Sequence, residues 1–326
     1  MATDPVLALG KLPPALLAEL LGDLPPAPPE VRVGPSPGED ACAIEVPAGT
    51  LVATTDPITL TGHDVARYAV AINANDVAAM GVAPRWFQAT VLLPRGTVES
   101  EVRALFSALL SALAEVGAVL VGGHTEVTGA VVQPTIVGQM LGFSTEGRLL
   151  SSAGLRPGDR VLQLGPAPVE AASVLAQEGG RALSRVDPRV LAAARDAVHS
   201  PGISVVPLGL AASELGACAA HDPTEGGLAT GLAELAAASG VGLDVDEDQV
   251  LWFEPGVAVC RALGADPWGA LASGCLLAGF AAERVNGALA ALGERGISAR
   301  VIARATAGRR TGLRGFARDE VARVLG

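Results

Sequence analysis

Aromatic side chains are scarce in this chain of 326 residues: six Phe, three Trp and one Tyr. With few rings, the core has to be built from Ala, Val and Leu, which supply half-buried and fully buried positions at helix and strand periodicity alike. Charge is also sparse, at 17% of residues, and the net charge is −11. That balance excludes broad nucleic-acid binding, which needs cations to displace phosphate counterions. Lysine is nearly absent, with Lys11 alone beside 22 Arg. Seven of those arginines, Arg300, Arg304, Arg309, Arg310, Arg314, Arg318 and Arg323, gather after Ser298 and read as a solvated surface. The four cysteines, Cys42, Cys218, Cys260 and Cys275, lie far apart with no CxxC, which excludes a disulfide framework and a zinc ribbon. They read as reduced thiols packed as small hydrophobes. There is no signal-peptide pattern and no apolar run of membrane-span length, so a soluble cytoplasmic protein is expected.

Several catalytic signatures are missing too. The chain has no GxxxxGK[ST], no GxGxxG between a strand and a helix, and no HExxH. "GPSPG" at residues 34–38 fits GxSxG by letter, but its prolines cannot form a strand-to-helix elbow around Ser36.

What is present alternates strand and helix patterns, so the fold class is α/β (α+β). "PALLAELLGDL" is an N-terminal helix, followed by the stiff "PPAPPE". "ACAIEVPAGTLVATTDPI" reads as a hairpin whose second strand ends at Asp56, and "HDVARYAVAINANDVAAMG" as a helix stopped at Gly81. "RWFQATVLLP", "AVLVGGHTEVTG" and "AVVQPTIVGQMLGFS" are strands, with Pro134 predicting an edge or a bulge in the third. "ESEVRALFSALLSALAEVG" is a long amphipathic helix. The turn-rich "SSAGLRPGD" marks a boundary, giving domains 1–150 and 151–326, and the second ends in strand–helix–strand.

The chemistry-bearing residues sit at element ends. Asn73, Asn75 and Asp76 interrupt the apolar "AINANDVAAMG", and an unpaired buried carboxylate costs several kcal/mol, so a cation or a metal should stand opposite Asp76. Asn73 and Asp76 share a helix face. Asp40, Asp56 and Asp222 occupy loop entrances; singly each reads as a cap or turn former, while together they offer the hard oxygen ligands of Mg²⁺. Gly122 and Gly123 are expected at a strand end, open to an anion or making an ordinary turn. "DPTEGGLATGLAELAAASG" predicts a helix starting at Pro223 or Thr224, with Asp222 as N-cap and a phosphate-binding N-terminus, or again a tight turn. His124 and His221, inside these motifs, could bind phosphate, move protons or ligate a metal. Lys11 could reach an anion or lie exposed.

"GEDACAI", "VATTDPI", "AINANDVAAMGVAP", "GGHTEVTG" and "DPTEGGLATGLAELAAASGVGL" occur in the order and spacing of the AIR synthase superfamily, and nearly the whole chain resembles it. That group includes aminoimidazole ribonucleotide synthetase, thiamine monophosphate kinase, selenophosphate synthetase and the HypE hydrogenase-maturation branch, to which "DPTEGGLA" with "SGVGLDV" is most similar. The resemblance implies a two-domain subunit, with an N-terminal ATP-binding and dimerisation domain that pairs with its copy into a β-barrel and a C-terminal mixed sheet with helices. ATP and Mg²⁺ are the implied cofactors. Asp40, Asp56, Asp76 and Asp222 would carry over to the metal. Thr54, Thr55, Asn73, Gly122, Gly123, Thr125, Thr224, Gly226 and Gly227 would carry over to the nucleotide, and His124 with Glu126 to catalysis. The implied activity is transfer of a phosphoryl group to an oxygen of a small metabolite by a homodimer, without nucleic acid or membrane. A HypE-like maturation factor with a maturation-protein partner, and a catalytically silent nucleotide binder, are the alternatives. Three departures stand out, one being that the reactive Cys or selenocysteine near the N-terminus of selenophosphate synthetase has no match in this sequence. His124 occupies a position where relatives carry an acid, with Glu126 two residues on. The HypE branch bears a cysteine at its C-terminal end, whereas this sequence reads "DEVARVLG" there and its last cysteine is Cys275.

Overall fold

A computed structural model describes residues 5–8, 10–35, 42–145, 149–308, 312 and 315–326. Asp40 and Ser36 lie outside those residues. The chain divides into two compact units, the first of residues up to 77 with 83–147, the second of 78–82 with everything from 148 onward.

The first unit carries β1 (Gly10–Lys11), α1 (Pro14–Gly22), β2 (Val31–Val33), β3 (Ala43–Ile44), β4 (Thr50–Ile58), α2 (Val65–Ala79), β5 (Pro84–Leu93), α3 (Glu99–Val116), β6 (Val119–Val127) and β7 (Thr135–Ser144). Its main sheet has the order β1-β6-β5-β7-β4. Among the described residues, only its pairing of β5 with β6 is parallel, because α3 carries the chain back between them. Helix α3 buries Val102, Phe106, Leu109 and Leu113, which recur at helical spacing. Arg67 of α2 ties to Glu115 of α3 through two hydrogen bonds of 2.6 and 2.7 Å.

Alternation gives this sheet one buried face. Val52, Ile58, Phe87, Val91, Ile136 and Met140 are buried on it, whereas Leu51, Ala53, Thr55, Pro57 and Gln139 on the opposite face are exposed. At one end the open face is covered by the small β2–β3 sheet, where Val31 packs with Trp86 and Val121.

Two expectations are corrected here. Strands β3 and β4 are not a hairpin: β3 pairs with β2, and β4 pairs along its length with β7. Strand β4 continues past Asp56 to Ile58, and Pro57 is tolerated because β4 is the last strand of the sheet. Pro134 does not mark an edge either. It precedes β7, which lies between β5 and β4, so its missing N–H falls outside the ladder.

The second unit carries β8 (Arg160–Leu164), α4 (Val169–Glu178), α5 (Pro188–Arg195), α6 (Val206–Glu214), β9 (Ala219–His221), α7 (Gly227–Ser239), β10 (Gly242–Val245), α8 (Glu254–Ala262), β11 (Leu276–Phe280), α9 (Val285–Glu294), β12 (Ala299–Thr306) and α10 (Glu320–Leu325). Its sheet, ordered β10-β12-β8-β11-β9, is antiparallel at every pairing and therefore not the expected mixed sheet. Both of its faces are buried. Val161, Ala219 and Leu277 pack with Leu228, Leu232 and Leu235 of α7, while Leu162, Leu164, Leu276 and Phe280 pack with Ala211 of α6 and Leu292 of α9. Burial on both sides explains why β11 reads as the unbroken apolar run "LLAGF". No helix of the described residues is long and apolar enough to cross a membrane.

Candidate functional site

The acid that interrupts α2 finds a carboxylate beside it. Thr54 Oγ donates to Asp76 Oδ2 at 2.6 Å, and the Asp56 carboxyl lies close enough to act on Asp76. Burial pushes the Asp76 carboxyl up to about 7; the Asp56 carboxyl adds to the rise and the Thr54 hydroxyl opposes it. Asp56 is in turn fixed by Asn73. Asn73 Oδ1 accepts the Asp56 N–H at 2.9 Å, and Asn73 Nδ2 donates to Asp56 O at 3.3 Å and to Ala69 O at 2.8 Å. Asn73 is fully buried and both its amide hydrogens are used. In this arrangement it positions Asp56.

Strand alternation separates this cluster from the histidine motif. Asp56 lies in line with Gly138, Ala89 and Gly123 across the sheet, so Thr54 and Asp56 occupy the helix face. His124 and Glu126 point to the open face, three strands away, with His124 Nε2 and Glu126 Oε2 3.2 Å apart. Thr55 shares that open face and donates to Gly138 O at 2.7 Å. Thr125 returns to the face of Asp56. Within one chain, then, His124 does not stand in for a carboxylate beside Asp56 and Asp76.

The glycine pair of β6 is also not where the sequence suggested. Gly122 and Gly123 lie inside the strand, opposite Gln88 and Ala89 and next to a register shift. Gly123 has φ +148°, and a Cβ there would fall on the Ala89 carbonyl oxygen. A close backbone approach at a bulge, not a turn, requires glycine at this position.

In the second unit, α7 begins at Gly227 with Gly226 as its N-cap, later than expected, and Asp222 is not its cap. Both glycines are left-handed, at φ +74° and +65°. Residues 222–226 therefore form a loop between β9 and the helix. The first amides there are already used: Gly226 N–H donates to Asp319 Oδ2 at 2.8 Å, and Gly227 N–H to Thr224 O at 3.1 Å. Asp222 is buried near Cys275, whose thiol is raised by burial and further by that carboxyl. Thr224 is half-buried and Glu225 exposed. His221 has both ring nitrogens engaged, Nδ1 with Ser152 Oγ at 3.1 Å and Nε2 with Glu234 Oε2 at 2.9 Å.

Asp319 and Glu170 were missed by sequence reasoning. Burial pushes Asp319 up to about 6 and Glu170 up to about 7, with each near the other's charge or that of Glu225. The one local signal was the "DEVARVL" cap pattern, in which Asp319 Oδ1 accepts Val321 N–H at 2.7 Å. Among the described residues no group of three or more His, Cys, Asp or Glu side chains is placed to hold a metal ion. The Asp56 and Asp76 pair with the Thr54 hydroxyl is nonetheless a hard oxygen set, and the raised affinity of Asp76 for a proton is the deficit a divalent cation relieves.

The family described as "AIR synthase related protein" matches this chain twice, by its N-terminal domain over residues 38–144 and its C-terminal domain over residues 156–315. The chain belongs to that family. A curated relative, carbamoyl dehydratase HypE of Cupriavidus necator, is 31% identical over 265 residues, covering 78% of this chain and 72% of its own. A crystal structure of hydrogenase maturation protein HypE in complex with ATP aligns with TM-score 0.68 at 26% identity, covering 89% of this chain and 86% of that one. The fold is shared as well with thiamine-monophosphate kinase from Stenotrophomonas maltophilia K279a, at TM-score 0.72 and 22% identity over 92% and 95% of the two chains. These AIR synthase-like relatives bear the names of different enzymes, so the chain is an enzyme of this superfamily with its subclass open.

Proposed function

We propose that the protein is an ATP- and Mg²⁺-dependent enzyme that activates a small metabolite by phosphoryl transfer to an oxygen. The observation that carries this reading is the half-buried Asp56 and Asp76 pair, positioned by Asn73 and Thr54 and lacking a cation among its hydrogen-bond partners in the described residues, so that Asp76 holds its proton up to about pH 7. Those two carboxylates would hold the metal, with Asp40 and Asp222 as further candidates. Bound Mg²⁺ neutralises phosphate oxygens and orients them for in-line attack. The chain's own part is positioning: Asn73 sets the strand that carries Asp56, and Thr54 orients the Asp76 carboxyl. Thr55, Thr125 and Thr224 supply hydroxyls, Gly123, Gly226 and Gly227 supply close-packed or left-handed backbone that a side chain would disturb, and Gly122 leaves its strand position open, on the nucleotide side of the reading. Catalysis built this way depends on charge and geometry more than on a covalent step. The HypE structure that holds ATP supports the nucleotide.

The working unit is a homodimer. Its support is the open face of the first sheet, where Leu51 is 48% exposed beside Ala53, Thr55 and Pro57. A face of that kind is buried when two copies pack sheet to sheet. His124 and Glu126 lie on it, so their proposed catalytic role is exercised at or near the interface.

A HypE-like maturation role is the second reading, favoured by the 31% identity to a carbamoyl dehydratase. The thiols weigh against its usual form. Cys260 and Cys275 are buried, and burial pushes the thiols of Cys218 and Cys260 up to about 11 and about 12. Such groups are poor nucleophiles near neutral pH. A maturation-protein partner belongs to this reading alone.

Release of ADP from ATP, measured with and without Mg²⁺ across phosphate and amide acceptors, tests the proposal. Mg²⁺-dependent ADP release that rises with one acceptor supports it. Binding without turnover indicates a silent nucleotide binder, and no binding of ATP at millimolar Mg²⁺ removes the proposal.

A further inference from the structure

The loop that carries Asp222 and Thr224 ends in two consecutive left-handed glycines, the residues with the most backbone freedom to lose on ordering. Something has to select one conformation, and the structure holds the loop at three points. Ala272 N–H donates to Thr224 O at 3.3 Å, and Gly227 is hemmed in by the Trp268 and Ala270 carbonyls, which a Cβ would meet at 2.6 and 2.7 Å. The third point is remote in sequence. Asp319, 4% exposed, accepts the buried Gly226 N–H.

Asp319 is well placed to be a rigid anchor. Its other oxygen caps α10 at Val321. Its neighbour Glu320 accepts the Asp266 N–H at 2.8 Å, and Arg323 bonds both Glu320 and the Gly264 carbonyl, the latter at 2.6 Å. Phe316 lies flat against Gly269, where any Cβ would strike its ring. Residues 315–326 thus form a strap tied to the 264–269 loop and to Gly226. The strap lies almost entirely beyond the residues 156–315 that match the family's C-terminal domain. A carboxylate at Gly226 also suits the N-terminal end of α7, where amides lack helical partners and the dipole favours negative charge.

We propose that Asp319 is a positioning residue for the nucleotide site, holding the Gly226 amide so that the 222–227 loop presents the half-buried Thr224 side chain to the ligand, with the Asp222 carboxyl buried behind it. This rests on the ATP reading above. Because Asp319 itself occupies the Gly226 N–H, the loop serves the ligand through the Thr224 side chain and not through that amide.

The test pairs Asp319→Asn with the parent. The amide keeps the shape but offers one acceptor oxygen where two donors wait. In nucleotide-free protein, hydrogen exchange at Gly226 and Gly227 is expected to quicken at least ~10-fold, and the Kd for MgATP to rise about 10-fold, with kcat nearly unchanged once ATP is saturating. Glu320→Gln, which weakens the neighbouring tie to Asp266, is the comparison for general loosening of α10. If it raises the Kd as much as Asp319→Asn, the specific role of Asp319 is refuted. Unchanged MgATP binding in Asp319→Asn refutes the proposal whatever the exchange shows, and so does weaker binding with unaltered exchange. A parent protein that binds no MgATP overturns the ATP reading instead, an outcome visible before any variant is made.

Discussion

Replacing Asp76 by Asn should make the metal-free protein more stable at alkaline pH. The carboxyl titrates near 7 in the fold, against about 4 in an unfolded chain. A carboxyl raised in this way contributes fully below its unfolded pKa, and that contribution is lost as pH rises through the folded value. Between pH 5 and pH 8 the loss approaches about 3 kcal/mol as a ceiling, at about 1.4 kcal/mol per pH unit up to pH 7, and about half that after solvent relaxation. Asn carries no charge and still accepts the Thr54 hydroxyl, so its stability does not follow this slope. Urea denaturation in EDTA, followed by tryptophan fluorescence at both pH values, reads the difference directly. Asp76→Asn is expected to gain on the parent by roughly 1.5–3 kcal/mol between pH 5 and pH 8. With Mg²⁺ and ATP the order reverses: the parent gains stability from the ligand by mass action and the variant does not. A stability gap that is the same at pH 5 and pH 8 would refute the account of the charge. MgATP binding by Asp76→Asn equal to the parent's, in calorimetry, would refute the metal assignment.

Other consequences follow from the same geometry. His124→Asp should keep or raise Mg²⁺-dependent nucleotide binding, and a collapse of binding would show that the imidazole itself is required. Gly123→Ala puts a methyl group onto the Ala89 carbonyl and should cost roughly 2–4 kcal/mol or prevent folding, read as a lowered urea midpoint. Asn73→Ala removes three hydrogen bonds from a fully buried site and should cost about 2–3 kcal/mol; a loss below ~0.5 kcal/mol would mean that Asp56 is held by other contacts.

The acid was legible because α2 is otherwise largely apolar, so the half-buried Asp76 needed a stated reason to be there. Its neighbours were legible only as types. That Asn73 would clamp Asp56 depends on a strand 17 residues earlier, and that His124 would face away from Asp56 depends on counting strands across a sheet. The motif glycines were legible as special backbone but not in their exact place. Gly122 and Gly123 were expected at a strand end and instead lie inside β6, and Gly226 was expected inside α7 and is its N-cap, because glycine signals unusual backbone without saying whether a ligand or another strand requires it. The supposed β3–β4 hairpin failed for a related reason: short range suggested the pairing, and the long β7 ladder offered β4 a better one. Asp319 was illegible in its main role, since its partner Gly226 lies 93 residues away and the local pattern advertised only a helix cap.

The two sheets should record evolutionary change differently. In β4, where alternate side chains leave the core of the single chain for the proposed dimer face, tolerance judged by folding of the chain alone should rise and fall with every second residue. In β11, all five positions are enclosed, and no such rhythm should survive. A saturation library read by abundance would show one strand as a comb and the other as a solid block, which makes the first sheet the surface on which relatives can diverge in the company they keep.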